Sequence, residues 1–285
     1  MAEYSDCHWT SRDGLTLHYR DYPGRSDRPP LLCLPALTRN ARDFAKLADR
    51  HAGEWRVICP DMRGRGDSAY AKDASTYNPF QYVDDVNHLV EQLGLASHVV
   101  IGTSLGGLMA IIMGMNAPRR IAGVLVNDVG PHLEPAGLRR IAMYVGQGRS
   151  FPTWMHAARA LEETHGGAHP GFAIDEWLEM AKRLMTMSSN GRIAFDYDMK
   201  IAEPLSRMDP DAQPDLWPGV DVLAGKPALI VRGALSDLFS EATAAEMVRR
   251  LPGAELVTLP DVGHAPTLDE PEVVAATARL LARVV

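Results

Sequence analysis

No run in the 285-residue sequence approaches the roughly 18–20 uninterrupted apolar residues of a membrane helix. The opening Met1-Ala2-Glu3-Tyr4-Ser5-Asp6 lacks the basic-then-apolar order of a signal peptide. Cysteine is scarce: Cys7, Cys33 and Cys59 are scattered, odd in number and without a C-x-x-C pair or a histidine at ligand spacing, which excludes a disulfide framework and a zinc site. Cys33 and Cys59 lie inside apolar runs and are expected to pack as small hydrophobes. Basic residues are outnumbered, 29 Lys and Arg against 36 Asp and Glu for a formal charge of -7, which argues against binding a phosphate backbone. Neither a G-x-x-x-x-G-K loop nor G-x-G-x-x-G spacing occurs, and no H-E-x-x-H or comparable cluster, so no nucleotide cofactor and no metal is expected. The expectation is a soluble, cytoplasmic protein acting on a small molecule, with no nucleic-acid or membrane partner and with homo-oligomerisation left open.

A hydrophobic fraction of 46% supports a sizeable core. Two short extended segments flank Asp13-Gly14, a hairpin-turn signal, so the chain opens with a β-hairpin. Apolar runs of a few residues then recur around 31–34, 57–59, 99–101, 123–126, 228–231 and 256–259, continuous rather than alternating, as in strands buried on both faces. Helical patterns lie between them at 41–50, 80–93, 105–116, 241–251 and 271–285. This order predicts an α/β fold with a mostly parallel central sheet and helices on both faces. The alternation breaks between about Pro131 and Lys226, where the sequence reads as helices only, around 138–145, 152–164 and 174–187, followed by a Pro- and Asp-rich passage. The expected organisation is a core domain of residues 1–130 and 226–285 and a helical cap of residues 131–225, inserted after strand 6 over the carboxyl edge of the sheet.

The strongest chemical signal is His98-Val99-Val100-Ile101-Gly102-Thr103-Ser104-Leu105-Gly106-Gly107, a buried strand running through G-x-S-x-G into an apolar helix. Small residues at 102 and 106 permit the sharp turn of a nucleophile elbow, with the Ser104 hydroxyl held above the sheet. A serine hydroxyl is a poor nucleophile at neutral pH and requires a base, itself oriented by a third group. Candidates follow later strands: Asp237 after 228–231 and His264 after 256–259, each at the carboxyl end of its strand and in the order Ser, Asp, His. Asp128, ending the strand at 121–127, is the alternative acid, and Asp261 reads as a turn former beside the base.

On these residues the chain resembles the α/β-hydrolase superfamily from the opening hairpin to the last helix. That resemblance implies His264 as general base, Asp237 as its orienting acid, and an oxyanion hole of two backbone N–H groups, from Leu105 and Leu37. Relatives often show His-Gly in the loop that holds the second donor, where this chain reads Pro35-Ala36-Leu37-Thr38-Arg39; Ala is less free than Gly to take positive φ, and Pro has no N–H. Thr38 and Arg39 either add a hydroxyl and a positive charge to the pocket or cap the following helix. Asp61-Met62-Arg63-Gly64-Arg65-Gly66-Asp67-Ser68 also resembles the superfamily, and its charges and glycines are expected to fix that loop locally.

Seven of the 13 methionines, together with Trp154, Trp177 and Trp217, fall in the insertion. Trp154, Trp177 and Met180 are candidate pocket residues, and the group favours an uncharged, moderately apolar substrate. The leading functional expectation is a serine hydrolase of the carboxylesterase or lactonase type, working through an acyl-Ser104 intermediate. A carbon–carbon hydrolase acting on a diketone or ring-fission product with the same triad is the alternative; acyl transfer and cofactor-free peroxide chemistry use the same residues. From another class, the rival is a ligand-binding protein on a hydrolase scaffold, without turnover.

Overall fold

The computed structural model describes residues 2–284; Met1 and Val285, which end the opening segment and the expected last helix, lie outside the described residues. Strands β1 (Ser5–Thr10) and β2 (Thr16–Tyr22) form the expected hairpin, and β3 (Leu31–Leu34), β4 (Val57–Pro60), β5 (His98–Thr103), β6 (Ile121–Asn127), β10 (Ala228–Gly233) and β11 (Glu255–Leu259) complete an eight-stranded sheet. Its order is β1-β2-β4-β3-β5-β6-β10-β11, parallel from β4 to β11 and antiparallel at β1 and β2. The insertion accounts for β7 (Ser150–Phe151), β8 (Met185–Met187) and β9 (Ile193–Phe195). The helices are α1 (Ala45–His51), α2 (Pro79–Gln92), α3 (Leu105–Asn116), α4 (Pro135–Tyr144), α5 (Trp154–His165), α6 (Ile174–Leu184), α7 (Ala202–Arg207), α8 (Trp217–Asp221), α9 (Glu241–Arg250) and α10 (Pro271–Ala282). None of the described helices is long and apolar enough to cross a membrane.

Strand periodicity of two divides the apolar runs between two cores. Leu32, Leu34, Ile58, Val100, Val124, Val126 and Ile230 face the layer of α2, α3 and α9. Leu31, Val57, Val99, Ile101, Leu125 and Val231 face α1 and α10, and with them the fully buried thiols of Cys33 and Cys59. These cysteines pack as expected of small hydrophobes; burial pushes the Cys33 thiol well above its ordinary range. Helix α3 is apolar on every side because it is enclosed between the sheet, α2 and α8.

The insertion departs from the expected helices-only reading. β7, β9 and β8 form a small antiparallel sheet, joined at Asn190-Gly191 by a tight turn with Gly191 at φ 76°. The stretch expected as one cap also divides by packing. Phe151 to Ile193 builds its own cluster, whereas Leu138 and Ile141 of α4 and Leu216, Val220 and Leu223 around α8 belong to the main core.

Candidate active site

Ser104 stands between β5 and α3 at φ 53° and ψ -116°, a conformation that non-glycine residues rarely adopt. Its N–H donates to the Asn127 carbonyl on β6 at 2.9 Å. The flanking glycines are required by close approach: a Cβ at Gly106 would collide with the Leu34 carbonyl on β3, and one at Gly102 with the Gly106 carbonyl. The turn therefore presses α3 onto the sheet, with Ser104 at the end of the helix where partial positive charge accumulates.

The Ser104 Oγ lies 2.8 Å from His264 Nε2, and His264 Nδ1 lies 2.8 Å from Asp128 Oδ2. Asp128 is fully buried, and its carboxylate accepts two further bonds, from the Gly233 N–H at 2.8 Å to Oδ1 and from the Ser236 hydroxyl at 2.6 Å to Oδ2. An acceptor-only carboxylate with these donors can fix the imidazole with Nδ1 protonated, leaving Nε2 free to take the serine proton.

The expected acid is thus corrected. Asp237 is not brought to His264; it faces Arg140 of α4, with Nε to Oδ2 at 2.5 Å and Nη2 to Oδ1 at 2.8 Å. This bidentate bond holds the Asp237 carboxyl below the usual carboxylate range. The loop after β10 turns Ser236 inward instead, where it braces the carboxylate that β6 supplies. Asp128, the alternative, stands at φ 55°, in the left-handed region that Asp tolerates better than most residues.

Leu105 is the first residue of α3, so its N–H has no acceptor within the helix. Leu37 lines the cavity beside Ser104, and its carbonyl accepts from Arg65 Nε at 2.8 Å. Neither Ala36 nor Leu37 takes positive φ, so the loop forms without requiring a glycine there. Arg65 is fully buried, 4.6 Å from the Tyr82 ring, and thereby ties the 61–68 loop to the loop after β3. Sequence reasoning read the 61–68 loop as self-contained and missed this reach.

A cavity of about 430 Å³ opens over Ser104 and His264, a size typical of small-molecule sites. Thr38, Arg39 and Met180 line it, as expected. The helix-capping alternative for Thr38 and Arg39 falls to Asn40, whose side chain accepts from the Arg42 N–H. The two tryptophans are a correction. Trp177 is buried inside the small cluster of the insertion and Trp154 packs on its margin, because α5 and α6 need large side chains to cohere with each other. Residues not singled out from the sequence include His165, Arg149 and Arg183 on the cavity wall. The 131–225 stretch also touches the loop that carries the base: the Gly263 N–H, next to His264, donates to the Ala168 carbonyl at 2.6 Å.

The fold brings His18, Asp61 and Asp67 together, a grouping that sequence spacing did not indicate. Two of these groups bond each other: His18 Nδ1 meets Asp61 Oδ2 at 2.7 Å, and Asp61 also accepts from the backbone N–H groups of Ala41 and Asp67. Asp61 thus fastens the 61–68 loop to β2 and to the loop after β3, beyond the local bonds expected of it.

Comparison with known proteins places the chain in a family. The chain is 34% identical over 264 residues to a 3-hydroxybutyrate-oligomer hydrolase of Cupriavidus necator, covering 90% of this chain and 89% of the relative. It is 25% identical over 279 residues to a 2-(acetamidomethylene)succinate hydrolase of Mesorhizobium japonicum, covering 95% of each. The crystal structure of an alpha/beta hydrolase from Novosphingobium aromaticivorans, 59% identical, superposes with a TM-score of 0.95 over 99% of both chains. The pattern of the alpha/beta hydrolase family extends over residues 31–277, and on these grounds the chain belongs to that family.

Proposed function

We propose that the protein is a serine hydrolase of carboxylic esters, with Ser104 as nucleophile, His264 as general base and Asp128 as the acid that orients it. The observation that carries this reading is the unbroken line from Ser104 Oγ to His264 to buried Asp128, ending at the floor of a cavity. His264 Nε2 takes the hydroxyl proton as Oγ attacks the ester carbonyl, and the tetrahedral oxyanion is met by the N–H groups of Leu105 and Leu37. Collapse expels the alcohol, which takes the proton back from His264. Water, activated by the same imidazole, then releases the acid and restores Ser104. The segment from α5 to β9 covers the site as a cap.

The likeness to the 3-hydroxybutyrate-oligomer hydrolase supports an ester as the bond cleaved. An oligomer of 3-hydroxybutyrate is a chain of ester-linked hydroxy acids, and a cavity of about 430 Å³ accommodates a short piece of one. Initial rates on p-nitrophenyl esters from acetyl to dodecanoyl test the reading, with Ser104→Ala and His264→Ala in parallel. Turnover with short acyl chains that disappears in both variants supports it. Full turnover in Ser104→Ala overturns it, and turnover on a vinylogous diketone with none on any ester replaces it by carbon–carbon hydrolysis.

A further inference from the structure

The cavity over Ser104 holds more positive charge than an apolar ester requires. Three arginines line it, Arg39, Arg149 and Arg183, against a single acidic residue, Asp43. Arg39 stands 3.3 Å from Asp43 through Nη1 and turns Nη2 to the Met180 sulfur at 3.9 Å. Arg183 Nε is buried with no hydrogen-bond partner, and its Nη1 is 3.7 Å from Asp269, a carboxylate shared with Arg50 at 3.0 Å and Lys46 at 4.0 Å. Arg149 lies over the Phe151 ring and pairs with no carboxylate among the described residues. His165, on the same wall, does not add to the charge: burial and then the nearby Arg39 push its imidazole down to about 4, so it is neutral at pH 7. Guanidiniums in a recess are under-compensated until an anion enters. An uncharged substrate, the expectation drawn from the methionines and tryptophans, leaves Arg149 without a counter-charge and Arg183 Nε without an acceptor.

We propose that the substrate carries a free carboxylate, gripped by Arg39 and Arg183 while its ester bond lies over Ser104; this rests on the serine-hydrolase reading above. A planar guanidinium matches a carboxylate with two parallel N–H donors, which suits an anion better than any neutral group of similar size. Arg39 is two residues beyond Leu37, so the anion is held close to the loop that meets the oxyanion. The apolar surface between, with Ile141, Met180 and Leu184, fits a short aliphatic spacer. The chemical class is therefore a short hydroxy-acid oligoester or hemiester with one free carboxyl end.

The test compares cleavage of the internal ester in the linear dimer of 3-hydroxybutyrate, as the free acid and as its methyl ester, for the wild type, Arg39→Gln, Arg183→Gln and Arg39→Lys. The wild type is expected to favour the free acid in kcat/KM by about tenfold or more. Each glutamine variant lowers that ratio by about tenfold, and Arg39→Lys retains part of it. A wild-type ratio at or below one, or variants that slow both substrates in proportion, overturns the inference while leaving Ser104-dependent hydrolysis of p-nitrophenyl butyrate in place. Calorimetric titration of Ser104→Ala with the same two compounds reads the grip without turnover. Tighter binding of the free acid supports the inference even if the esterase reading fails; equal affinity, or binding of neither, overturns it. If Arg39→Gln does not fold, the Arg183→Gln and Arg39→Lys comparisons decide.

Discussion

Asp128 and Asp237 are both carboxylates at the carboxyl ends of strands, and their surroundings separate them. Asp128 is sealed from water and accepts bonds from Gly233, Ser236 and His264. Asp237 is partly exposed, and Arg140 already answers its charge. Asp128→Asn is expected to lower kcat by about a thousandfold or more, because the amide favours the wrong imidazole tautomer. Asp237→Asn is expected to stay within about threefold of the wild type, since it removes a partly exposed ion pair; rates on p-nitrophenyl butyrate check both. Ser104 and His264 were legible because each is announced by its own neighbours, a buried strand before a G-x-S-x-G turn and a loop after the last strand. The acid was not, because the choice depends on which way the residues after β10 face. Asp237 there meets Arg140 on α4, nearly a hundred residues away, and no local pattern encodes that pairing.

The strand-turn-helix unit of β5, Ser104 and α3 tolerates little. Gly106→Ala would force α3 away from β3, and is expected to cost about 2–3 kcal/mol of stability, read from urea unfolding, along with loss of turnover as the serine shifts. Helix α2 offers a milder contrast. Asn78 accepts from the Gln81 N–H and Pro79 opens the helix, so Asn78→Ala is expected to cost about 1 kcal/mol without changing turnover. The central strands and their helices were readable because continuous apolar runs and caps are local properties. The hairpin of β8 and β9 was overlooked although Asn190-Gly191 signals a turn, since only three residues on either side take part and their apolar content also fits a helix end. Trp177 was misplaced for a related reason: an aromatic at helical spacing looks the same whether it faces a ligand or a second helix.

Across the whole molecule, desolvated imidazoles draw stability down in acid. His98 is buried with neither ring nitrogen bonded, and burial, then the Arg120 charge, lowers its pKa from 6.5 to about 4. His165 is lowered to about 4 and His169 to about 3, burial again coming first. A depressed histidine is neutral in the folded chain while the unfolded chain takes up the proton, so stability is full above pH 6.5 and falls as pH drops toward 4. His18 runs the other way: its burial is outweighed by Asp61, its pKa is raised, and its contribution is lost only as pH climbs above 6.5. His98→Leu is therefore expected to flatten the decline between pH 6.5 and 4 by about 1.4 kcal/mol per pH unit, measured by urea titrations across that range. The bond from the Gly263 N–H to the Ala168 carbonyl joins the insertion to the peptide next to the base. That one amide hydrogen is a natural clock. The time it takes to exchange for deuterium reports how often the α5–α6 connection lifts from the histidine loop, and a bound ligand that holds the two together would slow it.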